Sequence, residues 1–247
     1  MSTDSDAAEG GSDVRERVLV EVTISAPVDT VWRALRDPAE VAQWFGWGGP
    51  DAGAEIEAIF GQGAAADEAM RTIAFIGTDD RFELSSAGDA TIVRVVRALA
   101  DGDDWSDVYE DMTEGWIGFA HQLAYMVEHA RGRDRRVFHL SGDVTTAGGE
   151  GFLELLGRRL ARHATGAGAL GGPRVLRLSR HQVGAHVGEP LDMLVIGVER
   201  PPADGAPAGG SLTVSAYGAD KAGFDAEQEA WRRWWSKHLS FGPATCG

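Results

Sequence analysis

The 247-residue chain carries 38 Asp+Glu against 23 Lys+Arg, a net charge of −15, which argues against nucleic acid and anionic membrane as partners, since both need a basic surface. Its single cysteine, Cys246, cannot form an internal disulfide, and no cysteine cluster exists for zinc, so a reducing, cytoplasmic setting is expected. The length suits two units of about 100 to 150 residues each, both able to bury a core.

Residues 1–16 are acidic, rich in Gly and Ser, and without an apolar run, so a disordered tail and no secretory signal are expected. No later window approaches the roughly 20 apolar residues of a membrane helix. Val18, Val20, Val22 and Ile24 alternate with Leu19, Glu21 and Thr23, which predicts a strand with one apolar face. Ala26-Pro27 ends it. Val28, Val31, Trp32 and Leu35 then recur at helical spacing, with Asp29 near the positive end of the helix dipole, and Asp37-Pro38 breaks this helix and opens a second, short one.

A Gly-rich loop bearing Phe45 and Trp47 follows. Strands are predicted over 55–60, 70–76, 81–85 and 91–99, with 61–67 as a hairpin connection: an antiparallel meander. An acidic crossover leads to a long helix over 107–129, where Met112, Trp116, Phe119, Leu123 and Met126 form an apolar stripe. The charged stretch 131–136 marks a boundary, giving domains over 17–132 and 133–247. In the second, strands are predicted over 137–141, 174–179, 191–198 and 212–216, with helices over 151–163 and 225–239. The last helix carries Trp231, Trp234 and Trp235, so strand, acidic crossover and Trp-bearing helix occur in both halves, as in a degenerate repeat. The Ala-Pro turn and the Asp-Pro break occur only in the first.

Ala26, Pro27, Val31, Trp32, Ala34, Leu35, Asp37, Pro38 and Trp44, followed far downstream by Glu114-Gly115-Trp116, resemble the signature of the SRPBCC (START-like, helix-grip) superfamily. The similarity is to its activator of Hsp90 ATPase homologue 1-like branch. The resemblance implies an α+β helix-grip fold, a curved antiparallel sheet wrapped around a long C-terminal helix, with a second divergent α+β unit possibly of the same fold. It also implies a cleft between sheet and helix.

From the period of each element, the lining expected of such a cleft is Trp116, Phe119, Leu123 and Met126 on the helix, with Trp44, Phe60, Phe75 and Val93 from elsewhere. Arg71, Arg94 and Tyr125 are the candidates to orient a ligand.

Other motifs are weaker. Residues 166–171, Gly-Ala-Gly-Ala-Leu-Gly, match the dinucleotide fingerprint as a string but lead into a strand, where a helix is required. The seven histidines show no metal-ligand spacing, with His181 and His186 flanking a Gly-containing turn, and no Gly-x-Ser-x-Gly elbow is present. Asp103, Asp104, Glu110, Asp111 and Glu114 read as a solvated crossover and helix start, or as a base at the cleft mouth.

The favoured reading is binding of a small apolar or amphipathic ligand without covalent chemistry, no cofactor, and catalysis disfavoured. The alternatives are a co-chaperone or protein-interaction module using Phe45-Gly46-Trp47, and a cyclase or dehydratase of polyketide-like substrates. The presence or absence of a carboxylate or histidine in the pocket discriminates the last. The chain is expected to be a monomeric pseudo-dimer, or a homodimer through its Trp231–Trp235 face.

Overall fold

The computed structural model describes residues 15–99, 111–144, 151–163, 175–188, 191–202 and 207–240. The expected N-terminal tail, the acidic crossover, the 166–171 string and Cys246 lie outside the described residues. Two α+β units follow one another. The first runs β1 (Arg15–Ile24), α1 (Val28–Arg36), α2 (Pro38–Val41), α3 (Ala52–Ile56), β2 (Ala64–Asp67), β3 (Thr72–Phe75), β4 (Asp80–Ala87), β5 (Ala90–Leu99) and α4 (Asp111–Tyr125). The second runs β6 (Arg135–Asp143), α5 (Phe152–His163), β7 (Val175–Arg177), β8 (Gln182–Val187), β9 (Met193–Arg200), β10 (Gly209–Tyr217) and α6 (Lys221–His238).

Each unit has a five-stranded antiparallel sheet, ordered β1-β5-β4-β3-β2 in the first and β6-β10-β9-β8-β7 in the second. In both, the opening strand pairs with the last, and a long helix follows that last strand, a helix-grip-like arrangement. The four layers are first sheet, α4, second sheet, and the pair α5 and α6. Position decides composition. On the first sheet Val20, Val22, Ile24, Val93 and Val95 face α4, while the far face carries ion pairs such as Arg94 with Glu21 and Arg81 with Glu16. The second sheet is covered on both faces, so β9 and β10 are buried almost without alternation. Helix α4 and the π-helical turn that continues it, Met126–Ala130, lie between the sheets, and Ile117, Phe119, Ala120, Leu123, Met126 and Val127 are buried around most of their circumference, more than the single stripe expected.

Three local expectations are corrected. Val18 is 51 % exposed, because a β-bulge between Val18 and Val20 breaks the alternation and turns it outward. Residues 55–60 are helical: α3 continues as a π-helical turn, Glu57–Gln62, which buries Ile56 and Phe60, four residues apart, on one side. The strand of this region is β2, within the expected hairpin connection. His186 lies within β8, a strand where a turn was expected. The Asp37-Pro38 break behaves as the sequence predicts, with the Asp37 carboxylate accepting from the Ala39 N–H at 2.9 Å and Pro38 at the first position of α2.

Candidate functional site

A cleft of about 400 Å3 opens where the first sheet and the N-terminal half of α4 diverge, within the size range of small-molecule sites. Its walls are Phe45 and Trp47 from the loop after α2, Glu55 and Ile59 from α3 and its π-helical extension, Phe75 and Thr78 at the β3–β4 turn, and Gly115, Trp116 and Phe119 on α4. Trp47, Ile76 and Met112 form an exposed apolar rim, 46 %, 68 % and 55 % accessible.

The aromatic walls brace one another. Trp116 packs against Phe75 at 5.0 Å, and Trp47 against Phe119 at 5.3 Å. The indole N–H of Trp116 donates to Asp80 Oδ2 at 2.8 Å. Asp80 is buried and held by a two-point pair with Arg97, Nε to Oδ1 at 2.6 Å and Nη2 to Oδ2 at 2.9 Å. A satisfied buried ion pair thus orients the ring that forms the cleft floor.

Among the described lining residues Glu55 is the one carboxylate. Helix α3 points it inward, above Gly46, whose missing Cβ would stand 3.8 Å from Glu55 Oε2. Gly46 adopts φ +75°, a left-handed conformation that costs glycine little. Among the described residues no hydrogen bond or ion pair reaches the half-buried Glu55 carboxylate. The sequence reading missed Glu55 by taking 55–60 as a strand. A helical reading, from Ile56 and Phe60 four apart, was the available signal.

Of the expected lining residues, the cleft brings together Phe75, Trp116 and Phe119. Trp44 is fully buried behind it, its indole donating to the Ala34 carbonyl at 2.9 Å, and Phe60, Val93, Leu123 and Met126 belong to the packed core. Arg94 lies on the solvent face, paired with Glu21. Arg71 pairs with Asp29 and lies over the Trp32 ring at 5.2 Å, at φ +54°, away from the cleft lining. Tyr125 sits toward the far end of α4, donating to Asp192, which also binds Arg133 and His186. Burial and this hydrogen bond raise the Tyr125 pKa well above the ordinary phenol value. Burial alone would raise Asp192, but the donors from Tyr125, Arg133 and His186 outweigh it and lower its pKa.

Trp231, Trp234 and Trp235 are all buried within the second unit, which removes the exposed Trp face expected to dimerise. No group of three or more potential metal ligands occurs among the described residues. No helix of the described residues is long and apolar enough to cross a membrane.

No family model and no curated protein matches the chain. Solved structures similar to it include DynU16, a protein in the dynemicin biosynthetic locus (19 % identity, 92 % of this chain and 94 % of that one, TM-score 0.31). Two others are described as di-domain ARO/CYC proteins. BexL, from the BE-7585A biosynthetic pathway, shares 11 % identity over 93 % of this chain and 100 % of that one, with a TM-score of 0.34. StfQ, from the steffimycin pathway, shares 12 % over 80 % and 83 %, with a TM-score of 0.31. Identities and TM-scores this low transfer no residue role. The preference for binding over catalysis nevertheless runs against the two ARO/CYC descriptions and is withdrawn, and the Hsp90-activator branch receives no support.

Proposed function

We propose that the cleft takes a small, flat, largely apolar molecule bearing carbonyl or hydroxyl groups, and that Glu55 moves protons on it, as in a cyclase or dehydratase of polyketide-like substrates. The observation that carries this is a carboxylate without a partner among the described residues, in a lining that is otherwise largely apolar and rich in aromatic rings. The aromatic rings offer stacking surfaces for a planar ligand, while Glu55 is available to a group that presents a proton.

The chemistry follows from that pairing. The Glu55 carboxylate removes a proton from the carbon beside one carbonyl, and the resulting carbanion attacks a second carbonyl of the same molecule, closing a ring. The carboxyl group, now protonated, returns that proton to the alkoxide so formed, giving a hydroxyl; it then removes a second proton from the same carbon and delivers it to the hydroxyl, so that a carbon–carbon double bond forms, water leaves and the carboxylate is regenerated. Among the described lining residues Glu55 is the one titratable group, and it balances both steps by carrying one proton in each of two rounds, the first for closure and the second for loss of water.

A co-chaperone role through Phe45-Gly46-Trp47 is less well supported, because Phe45 is buried and Trp47 packs on Phe119 and His139. The proposal is tested with a linear diketone able to close a six-membered enone ring, followed by enone absorbance. Wild-type protein should accelerate closure, and Glu55→Gln should lower the rate by about 10²-fold or more with an unchanged unfolding midpoint. Equal rates for the two proteins would refute the role of Glu55.

A further inference from the structure

The loop that forms one cleft wall, residues 43–48, is held largely by side chains of the second unit. Arg135, the first residue of β6, directs its guanidinium into this loop. Nη1 donates to the Phe45 carbonyl at 2.6 Å and Nη2 to the Gly46 carbonyl at 2.8 Å. The same Nη2 donates to Gln122 Oε1 on α4 at 2.6 Å, and Nε donates to Ser215 Oγ on β10 at 3.0 Å. All four acceptors are neutral. A guanidinium in that setting trades hydration for fixed hydrogen bonds, an arrangement better suited to fixing geometry than to adding stability.

The neighbouring contacts repeat the pattern along β6, whose alternate residues 135, 137 and 139 face the same side. Val137 lies under Gly48, where a Cβ would stand 2.6 Å from Val137 Cγ1, and Gly48 holds φ +81°, so only glycine fits that approach without displacement. The His139 ring packs against Trp47 at 5.8 Å, and its Nδ1 is 3.0 Å from Thr213 Oγ1. Gln43 accepts from the Arg135 backbone N–H at 2.7 Å through Oε1, and from the Tyr217 hydroxyl at 2.9 Å through its carbonyl. Each loop residue from Gln43 to Gly48 except Trp44, which is anchored in the first core, meets β6 or β10.

We infer that β6 of the second unit is the template that shapes the cleft of the first, with Arg135 the positioning residue that holds Phe45 and Trp47 as its wall. Arg135 acts through the loop and does not itself line the cleft. This inference rests on the proposed use of the cleft, but its test does not. Amide hydrogen exchange of the unliganded full chain is compared in wild type and Arg135→Gln. The expected result is exchange at 45–48 at least tenfold faster, with β4, β5 and β9 unchanged and Trp47 more accessible to acrylamide. Unchanged protection at 45–48, or loss spread evenly over both units, overturns the inference.

Should Arg135→Gln not fold, Tyr217→Phe, which removes only the hydroxyl on Gln43, should give a smaller rise confined to the same loop, and no rise overturns it. Arg135→Lys, which keeps the charge but not the two-pronged geometry, should rescue protection only in part. Titration with β-naphthol then reads the consequence: affinity about tenfold weaker in Arg135→Gln than in wild type, with equal affinities counting against a shaping role. Wild-type protein that fails to bind β-naphthol would count against the cleft reading alone and leave the exchange result to decide this one.

Discussion

The two units share a strand order but treat their interiors in opposite ways. In the second, α5 presses onto the sheet so closely that a side chain at either of two strand glycines would displace its packing. A Cβ at Gly197 would stand 2.1 Å from Leu156 Cδ2, and one at Gly210 would stand 2.7 Å from Phe152 Cγ. Phe152, Trp231 and Trp235 are fully buried there. In the first unit, rings of the same kind brace one another around one end of α4 and leave a lined cleft between them. One strand order thus serves as a filled scaffold in one half and as a site in the other, and the difference lies in side-chain volume and in where the helix meets the sheet.

The largest effect should come from opening the filled interior. Phe152→Ala removes a ring packed on Gly197, Gly210 and Trp235, and should cost about 3–5 kcal/mol by denaturant unfolding. A loss under about 1 kcal/mol would show that the second interior is not tightly packed.

The seam between the units should give the next effect, through pH. Burial holds the His139 pKa down to about 4, and His121 on α4 is also lowered by burial. The unfolded chain, whose histidines titrate near the ordinary 6.5, therefore binds more protons over that interval. Stability should be fully present above about pH 6.5 and fall as the pH drops toward 4, by on the order of 3 kcal/mol for His139. His139→Gln should flatten the profile, and an unaltered slope would remove His139 as its cause.

The smallest stability effect should be at the cleft rim. Ile76 is 68 % exposed, so Ile76→Ala should shift stability by less than about 0.5 kcal/mol while weakening β-naphthol binding. A large stability loss there would mean that the rim is core.

How far the sequence foretold this depends on the signal each feature carries. The Ala26-Pro27 turn, the Asp37-Pro38 cap and the long Trp116 helix are local chemistry and were legible. Phe75, Trp116 and Phe119 could be placed at the cleft because helix period and strand end specify their facing. Trp44, Leu123 and Met126 have the same character in sequence, and only the depth of packing separates them from the cleft lining. Glu55 was hidden because Glu-Ile-Glu alternation imitates a strand, whereas Ile56 and Phe60 are buried at helical spacing. The Arg135 contacts, joining residues about ninety positions apart, leave no pattern in a single chain.

The place where a flat ligand settles tests the role of the cleft most directly. A crystal structure of the protein with β-naphthol should show the ring between Trp47, Phe75 and Phe119, with its hydroxyl donating to Glu55. A ring found among Trp231, Trp234 and Trp235, or on the outer surface with the cleft empty, would contradict it.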